Sequence, residues 1–418
     1  MADWSQLQNE LLRTIAELLS ANRDYLAFRA TCKSWRSAVE EMPLHYPYQL
    51  PLLMLPYDKN VKAYSAFSLS DNKIFYLKLS EVHGLRYCGS SNGWLVAVDE
   101  TPVIRLFNPF TKSQIELPPI TTFSEVLGFD KSKVGAEYNV RSLFDGVVET
   151  PNSEWIRTRF IKKVVVSSDP TSNPNYVVMA LHGELQKLAF CRHGDKEWTV
   201  IEKIWCPYRD IVCYKEQFYV VDANGRVAIC NIDGTPNAVE VMPHMNIYVP
   251  PQMNIYRRMM YLVESMGELL QVVRYRQDIR NGEVVRYCEH KDGDEYDDNW
   301  IYYTVRFKVF KMDISRGERF EVKTLGDCML FLGSNYSLSL SAHDFPSFKR
   351  NCIYFTDDAV YSYKAGVRGG HDLGVFNLED NSITSLPCQY HSSNDLGIIW
   401  PPPIWLHTSY PRNEALEE

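Results

Sequence analysis

Apolar residues near the N-terminus recur at three- and four-residue steps, which is the spacing of one face of an α-helix. Positions 7 to 19 supply a first set, formed by Leu7, Leu11, Leu12, Ile15, Leu18 and Leu19. Positions 26 to 39 supply a second set, formed by Leu26, Phe28, Cys32, Trp35 and Val39. A unit of about 40 residues seldom closes a core without disulfides, metal or a partner. The surplus apolar surface therefore docks either on the rest of the same chain or on another protein.

These helices resemble an F-box, the module by which substrate receptors attach to the Skp-type adaptor of cullin-RING ubiquitin ligases. The resemblance is carried by Trp4–Leu7, Glu10–Leu12, Ile15, Leu19 and Phe28–Ala38, which contains Cys32-Lys33-Ser34-Trp35-Arg36. One departure is Gln8, because the family usually has proline after the first leucine. Losing a preset φ weakens a helix start, but we do not expect it to abolish binding.

The resemblance implies an F-box helical domain over residues 1–42 that binds a Skp-type adaptor and, through it, a cullin. The expected adaptor-binding residues are Leu7, Leu11, Leu12, Ile15, Leu19, Cys32 and Trp35. A buried Leu or Ile side chain contributes roughly 1.5–3 kcal/mol, and Trp is a frequent hot spot of interfaces. The alternative for Trp35 is that it packs only inside the helical domain.

A proline-rich stretch follows the helices. Residues 42–56 contain four prolines, which stop a helix and favour an extended path. The stretch is also apolar, so a free linker is a poor description of it. We expect residues 43–60 to form a connector that packs on the next domain.

Beyond about residue 60 the pattern changes to short strands and tight turns. Val305, Phe307 and Val309 alternate with basic residues, a period of two that is typical of a strand. Five pairs accept the positive φ of two-residue hairpin turns: Asn92-Gly93, Asp145-Gly146, Asn224-Gly225, Asp233-Gly234 and Asn281-Gly282. Many hairpins and few helical stretches indicate an antiparallel all-β domain.

The hairpins also repeat along the chain. Similar segments begin at Leu106, Leu188, Ile229, Val309 and Val375, and the first three steps are 82, 41 and 80 residues. A unit near 41 residues accounts for these steps, with a faint copy at Glu268 in one missing slot. Propeller blades of four strands run about 40–50 residues each. The sequence therefore predicts a β-propeller of six or seven blades over residues 61–408, followed by a disordered acidic tail at 409–418. A pair of β-sandwiches would not explain the regular step.

The repeats resemble the kelch-like C-terminal half of a large group of plant F-box proteins of the SKIP type, in which the role of that half is mostly undefined. The resemblance lies in three segments, residues 89–96, 303–310 and 400–405. Together with the F-box it covers nearly the whole chain. The predicted fold class is thus mainly β, a propeller preceded by a small all-α F-box domain.

Composition and charge limit the classes of partner and the location that we expect for this protein. The net charge is −8 and no dense basic tract exists, which argues against nucleic acid as the principal partner. The first ten residues are unlike a signal peptide and no run of eighteen apolar residues occurs, so we expect no membrane segment and a location in the cytoplasm or nucleus. None of the ten cysteines lies at zinc-ligand spacing, which predicts buried free thiols and no metal.

Three segments match short catalytic or ligand-binding motifs, but the residues around them do not fit the structures that these motifs require. Gly89–Gly93 matches G-x-S-x-G, but a strand follows it where the nucleophile elbow needs a helix. The acidic segment 292–298 lacks the glycine and glutamate positions of an EF-hand and predicts a solvated hairpin tip. The glycines at 366, 369, 370 and 374 lack the strand–helix order of a phosphate-binding loop. We assign no catalytic residue and no cofactor.

These features favour a non-catalytic substrate receptor of a cullin-RING ubiquitin ligase, in which the helices bind the adaptor and the propeller binds an unknown protein substrate. One alternative is an F-box scaffold or stoichiometric inhibitor that acts without ubiquitination. A second is an enzyme or small-molecule sensor that uses the central channel of the propeller.

Overall fold

The computed structural model describes most of the chain, namely residues 4–17, 19, 22–39, 51–58, 63–69, 72–77, 85–109, 113–143, 145–202, 207–245, 256–285, 300–345, 348–358, 371–386 and 403–406. Within these ranges the protein is mainly β, with helices concentrated at the N-terminus. This confirms the predicted fold class. None of the helices in these ranges has the length and apolar character needed to cross a membrane. The predicted tail at 409–418 and the acidic segment 292–298 lie outside the described residues.

The N-terminal helices, residues 4–39, form a small unit that we call the helical head. A 3-10 turn at Trp4–Gln6 precedes three helices: α1 Asn9–Glu17, α2 Asn22–Thr31 and α3 Lys33–Ala38. Its buried core consists of Leu12, Ala16, Tyr25, Phe28 and Ala38. Arg13 Nε donates to the carbonyl of Ala38 at 3.1 Å, which ties α1 to the end of α3. A short α4 (Ser153–Trp155) and a π-helical turn (Ile156–Phe160) occur later in the chain.

The strands form six sheets of four or five strands and one smaller sheet. The first two sheets contain β1 Leu52–Asp58, β2 Ala63–Ser68, β3 Lys73–Leu77 and β29 Ile404–Leu406, then β4 Arg86–Ser91, β5 Trp94–Val98, β6 Ile104–Phe107 and β7 Gln114–Leu117. The small sheet contains β8 Val126–Phe129, β9 Tyr138–Arg141 and β10 Val148–Glu149. The next two contain β11 Ile161–Val166, β12 Val177–His182, β13 Lys187–Arg192 and β14 Thr199–Val200, then β15 Tyr208–Tyr214, β16 Gln217–Asp222, β17 Val227–Asn231 and β18 Asn237–Met242.

The last two sheets have five strands each. One contains β19 Tyr256–Ser265, β20 Glu268–Arg280, β21 Glu283–Val285, β22 Trp300–Asp313 and β23 Glu318–Val322. The other contains β24 Cys328–Leu332, β25 Ser337–Ser341, β26 Cys352–Phe355, β27 Gly374–Asn377 and β28 Ile383–Ser385. In that sheet β24 and β26 pair in parallel, and β25 is the edge strand next to β24.

Apolar clusters join each large sheet to the next. Residues from the β11 and β15 sheets share one cluster, the β15 and β19 sheets share another, and the series continues through the β24 sheet to the β1 sheet and the β4 sheet. A further cluster joins the β4 and β11 sheets and includes Val126 and Tyr138 of the small sheet. The succession therefore returns to its start, which is the ring of a propeller. Among the described residues the succession contains six sheets of four or five strands, and the number of blades, six or seven, stays a prediction.

The ring is closed by the C-terminal strand. β29 pairs antiparallel with β1, with Trp405 opposite Leu53. The Trp405 side chain is fully buried, and its Nε1 donates to the carbonyl of Leu332 at 2.9 Å. Residues 52–58 are thus a strand of the first sheet, and the prediction that all of residues 43–60 form a connector is corrected there. In the described part of this stretch, the buried side chains of Leu53, Met54 and Leu55 belong to the blade itself.

Two of the five predicted two-residue turns are confirmed, Asn92-Gly93 and Asn281-Gly282, whereas the other three pairs lie in hairpin loops of four to six residues. Each of the five pairs lies between two antiparallel strands that pair with one another. At Asn92 and Gly93 the φ angles are 51° and 80°, and at Asn281 and Gly282 they are 53° and 82°. Left-handed backbone at both central residues matches the twist of the flanking strands.

The repeated hairpins are the outer two strands of successive sheets. The segments that begin at Leu106, Leu188, Ile229, Val309 and Val375 fall on the pairs β6–β7, β13–β14, β17–β18, β22–β23 and β27–β28. The faint copy at Glu268 is wrong, because β20 is an inner strand that pairs with both β19 and β22. The step of 80 residues from Ile229 to Val309 is long because the sheet there contains strands of 13 and 14 residues.

We expect Trp405→Ala to destabilise the protein by about 3–5 kcal/mol, since it removes a fully buried aromatic side chain from the closing strand. The free energy of unfolding is measured by denaturant titration. Circular dichroism monitors the transition, because this signal does not depend on the tryptophan that is removed. Phe320→Ala is the matched control, because Phe320 is 51% exposed and should change the free energy of unfolding little. Equal effects of the two variants would contradict the assigned role of β29.

Candidate functional site

The helical head leaves apolar side chains in solvent. Leu11 and Ile15 lie one turn apart on α1, so they are neighbours on one helix face, and they are 51% and 37% exposed. Trp4 is 66% exposed in the preceding turn. These three residues, which we call the exposed apolar residues of the head, are not covered by any other described part of the chain.

The other predicted adaptor-binding residues have different environments. Leu7, Leu19, Cys32 and Trp35 are half-buried, and Leu7, Leu19 and Trp35 pack against the core of the head. Leu12 is fully buried, so its assignment to the adaptor-binding face is corrected. Leu12 lies one position after Leu11 and points into the head. The assignments of the remaining six residues stay predictions.

Trp35 serves the head and still presents part of its surface. Its ring lies 4.6 Å from that of Phe28, and its Nε1 donates to the carbonyl of Trp4 at 2.9 Å. The hydrogen bond fixes the N-terminal turn, so Trp35 positions Trp4. Sequence reasoning missed Trp4 as a surface residue, although it stands among the residues that carry the F-box resemblance.

The second candidate is the channel of the ring. Its wall is formed by β4, β11, β15, β19 and β25, whose residues line two cavities of about 220 and 100 Å³. The C-terminal parts of the first four strands reach the larger cavity, at Ser91, Val166, Cys213 and Glu264. The N-terminal parts reach the smaller one, at Arg86, Lys162, Arg209 and Arg257. These four strands therefore run in the same direction along the channel.

An ion pair lies between the two cavities. Lys163 lines both of them and its Nζ pairs with Asp210 Oδ1, with both side chains almost fully buried. Asp210 also accepts from the backbone amides of Ile211 at 2.9 Å and Leu262 at 2.8 Å. Burial raises the pKa of the Asp210 carboxyl, because Lys163 and the two amides offset the lost hydration only in part. The pair ties β11, β15 and β19 together.

A buried arginine network lies beside the channel. Arg274 is fully buried, and its guanidinium donates to Thr304 Oγ1 at 2.7 Å, the Thr356 carbonyl at 2.8 Å and Asp372 Oδ2 at 2.8 Å. Its Nη1 also lies 3.5 Å from Asp358 Oδ1. Each charge has a partner, so this network holds the β19 and β24 sheets together and offers no reactive group.

The catalytic motifs have structural roles. Ser91 lies at the end of β4 just before the Asn92-Gly93 turn, and its Oγ donates to the Val166 carbonyl at 3.0 Å. The G-x-S-x-G segment is thus a hairpin, as predicted. Gly374 begins β27, whereas the other three glycines of that cluster lie outside the described residues. Among the described residues no three His, Cys, Asp or Glu side chains are placed to hold a metal ion.

His182 has the side chain best suited to acid–base chemistry among the described residues that we considered, but it is inaccessible to solvent. It is fully buried, with Glu125 Oε1 3.5 Å from its Nδ1 and the Phe123 ring at 4.4 Å. Burial lowers the pKa of His182 to about 4, although the Glu125 charge acts in the opposite direction. A neutral histidine with no route to solvent is part of the core.

Comparison with known proteins identifies the class. Residues 66–377 match the KIB1-4 beta-propeller family, and residues 4–46 match the F-box domain. The chain therefore belongs to the F-box proteins that carry a KIB1-4 beta-propeller. It is 30% identical to F-box protein SKIP23 of Arabidopsis thaliana, over 99% of this chain and 98% of that protein. Two putative F-box proteins of the same plant are each 27% identical, over 92% and 91% of this chain and 93% of each relative. The predicted membership is confirmed.

The buried His182 gives a pH-dependent stability. The unfolded histidine binds a proton below about pH 6.5, whereas the folded one does so only near pH 4. Stability should therefore be lost as pH falls between these values, by at most about 1.4 kcal/mol per pH unit. His182→Phe keeps an aromatic ring there and should flatten this slope in denaturant unfolding from pH 7 to 4. His343→Phe, at a side chain that is 91% exposed, should leave the slope unchanged; an unaltered slope in His182→Phe would contradict the assignment.

Proposed function

We propose that this protein is the substrate-recognition subunit of an SCF-type cullin-RING ubiquitin ligase, acting in the cytoplasm, the nucleus or both. The helical head binds a Skp-type adaptor, and the propeller binds a protein to be ubiquitinated. The observation that carries the proposal is the exposure of Trp4, Leu11 and Ile15 on a segment that matches the F-box domain. Large exposed apolar side chains on so small a unit are typical of a binding surface.

The contribution of such a subunit is proximity. Holding a substrate near a charged ubiquitin-conjugating enzyme raises the effective concentration of its lysines without a catalytic residue in this chain. The loops at the rim of the rigid ring are the natural place for substrate contacts.

Replacing both Leu11 and Ile15 by Lys should weaken adaptor binding about 100-fold or more. Each side chain contributes at least about 1.5 kcal/mol when buried, and each tenfold in affinity corresponds to 1.4 kcal/mol. The measurement is the dissociation constant for a purified Skp-type adaptor.

The matched control is Val148→Lys with Val239→Lys, two propeller residues that are 48% and 46% exposed. This control should bind the adaptor normally. Leu12→Lys is unsuitable, because it places a charge in the core of the head and disrupts folding. If the Leu11 and Ile15 double variant binds like the control, the proposed adaptor-binding surface is wrong.

Ubiquitination of a captured partner tests the second half of the proposal. Affinity capture with the full chain, followed by mass spectrometry, supplies the partner for a reconstituted ligase. We expect ubiquitin on that partner with the unaltered chain and none with the Leu11 and Ile15 double variant. A partner that binds tightly but is never modified would instead support a scaffold or stoichiometric inhibitor.

A further inference from the structure

The larger cavity, of about 220 Å³, lies at one end of the channel, where the inner strands end. Its lining residues belong to β4, β11, β15, β19 and β25 or adjoin these strands: Asn92 follows β4, Ser167 follows β11 and Tyr336 precedes β25. Each of the five strands lies at the end of its sheet, so the inner edges of five sheets meet here. We call this cavity the larger mouth.

The larger mouth carries one charge that is not matched. Among its described lining residues, Lys163 and Glu264 are the charged ones. Lys163 is paired with Asp210, so that pair adds no net charge. The exposed Glu264 lies near the end of β19, and its Oε1 accepts from the amide of Gly267 at 2.9 Å. In the described part of the chain no Lys, Arg or His pairs with this carboxylate. The cavity therefore presents a single negative charge.

Two hydroxyl groups of the larger mouth lack hydrogen-bond partners. The Tyr336 hydroxyl makes no hydrogen bond with the described residues, and the Oγ of Ser337, a residue that is 6% exposed, is buried without a partner among them. Burial and the charges of Glu264 and Cys213 raise the pKa of Tyr336 to about 12, so this hydroxyl stays protonated close to the carboxylate. A hydroxyl oxygen accepts as well as donates. A ligand with several N–H donors can therefore bond to the carboxylate and to a hydroxyl together.

We propose that the larger mouth is a binding site for an alkylammonium group, such as the end of a lysine side chain. An ammonium group has three N–H donors and no acceptor, which matches a carboxylate with hydroxyl oxygens beside it. Val165, Ile211 and Leu262 line the same cavity and offer apolar contacts to the attached methylene groups.

Other charged ligands fit the larger mouth less well. The unmatched Glu264 carboxylate repels an anion. A calcium ion takes six to eight oxygen ligands, several of them carboxylates. Among the described residues no three His, Cys, Asp or Glu side chains are grouped to hold a metal ion. An ammonium group needs only one carboxylate and neutral acceptors.

The ammonium group comes either from a lysine side chain of a bound protein or from a free amine. The first source deepens the proposed receptor function and rests on it, since the larger mouth would then hold part of the substrate. The second source would be a separate binding activity of the propeller. Both use the same carboxylate and hydroxyl groups.

Binding of butylammonium chloride to the full chain is the direct test. Calorimetric titration at constant ionic strength should give one saturable site. n-Pentanol has nearly the same shape without the charge, and it should bind about tenfold or more weakly, because it loses the charge-assisted hydrogen bonds. No saturable binding of butylammonium, or equal affinity for the two ligands, would overturn the proposal. This comparison uses the unaltered chain, so it does not depend on a variant that folds.

Glu264→Gln is the informative variant. It removes the charge and keeps an oxygen for the Gly267 amide, so its melting temperature should match that of the unaltered chain. It should weaken butylammonium binding by about tenfold or more, since a hydrogen bond to a charged group is lost. Glu283→Gln, at an exposed position on β21, is the matched control and should bind normally. Unchanged affinity in Glu264→Gln would contradict the site.

A peptide with one central lysine, and the same peptide with that lysine acetylated, distinguish the two sources. Acetylation removes the charge. Tighter binding of the lysine peptide than of butylammonium, lost on acetylation, indicates a bound protein. Binding of the lysine peptide that is no tighter than that of butylammonium indicates a free amine, and equal binding of both peptides would contradict an ammonium site. Adaptor binding by Glu264→Gln should stay normal, so that failure here is distinct from failure of the receptor role.

Discussion

The pairing of the last strand with the first is the contact on which this structure depends. Each sheet buries its faces only against its neighbours, so a ring of sheets is stable only when the succession is closed. Here β29 completes the sheet of β1, and the buried Trp405 reaches across to the carbonyl of Leu332 in the preceding sheet. The N-terminal strand is thereby held by the C-terminus, although about 350 residues separate them.

Closure also determines what the channel contains. Once the strands are arranged with the same direction, residues at equivalent ends must share one opening whatever their charge. The ion pair of Lys163 and Asp210 neutralises the middle of the wall, and the Arg274 network neutralises its flank.

The helical head does not bury all of its large apolar side chains. Its core of Leu12, Ala16, Tyr25, Phe28 and Ala38 is small, and the apolar residues that remain cannot all be placed inside it. Leu11 and Ile15 are exposed for this geometric reason. The ring differs from the head, because most of the apolar residues on its described strands are buried within or between the sheets. The protein thus combines a closed structural unit with a small unit that keeps apolar surface for contact.

Local patterns in the sequence were enough to determine the F-box helices, the positions of the five hairpin loops and the outer hairpin of most sheets, although only two of the five loops are two-residue turns. Asn-Gly and Asp-Gly loops and alternating strands depend on neighbouring residues, so they can be predicted without the tertiary structure.

Three features depended on the tertiary structure. Leu11 and Leu12 fit the same helical period, and only packing against Tyr25 and Phe28 turned Leu12 inward. The strand at residues 52–58 was hidden by Pro56 and by the prolines that precede it, and one of its two partner strands, β29, lies at the other end of the chain. The smaller cavity brings together Arg86, Lys162, Arg209 and Arg257, which follow one another at intervals of 47 to 76 positions, and only the common direction of the inner strands places them at one opening.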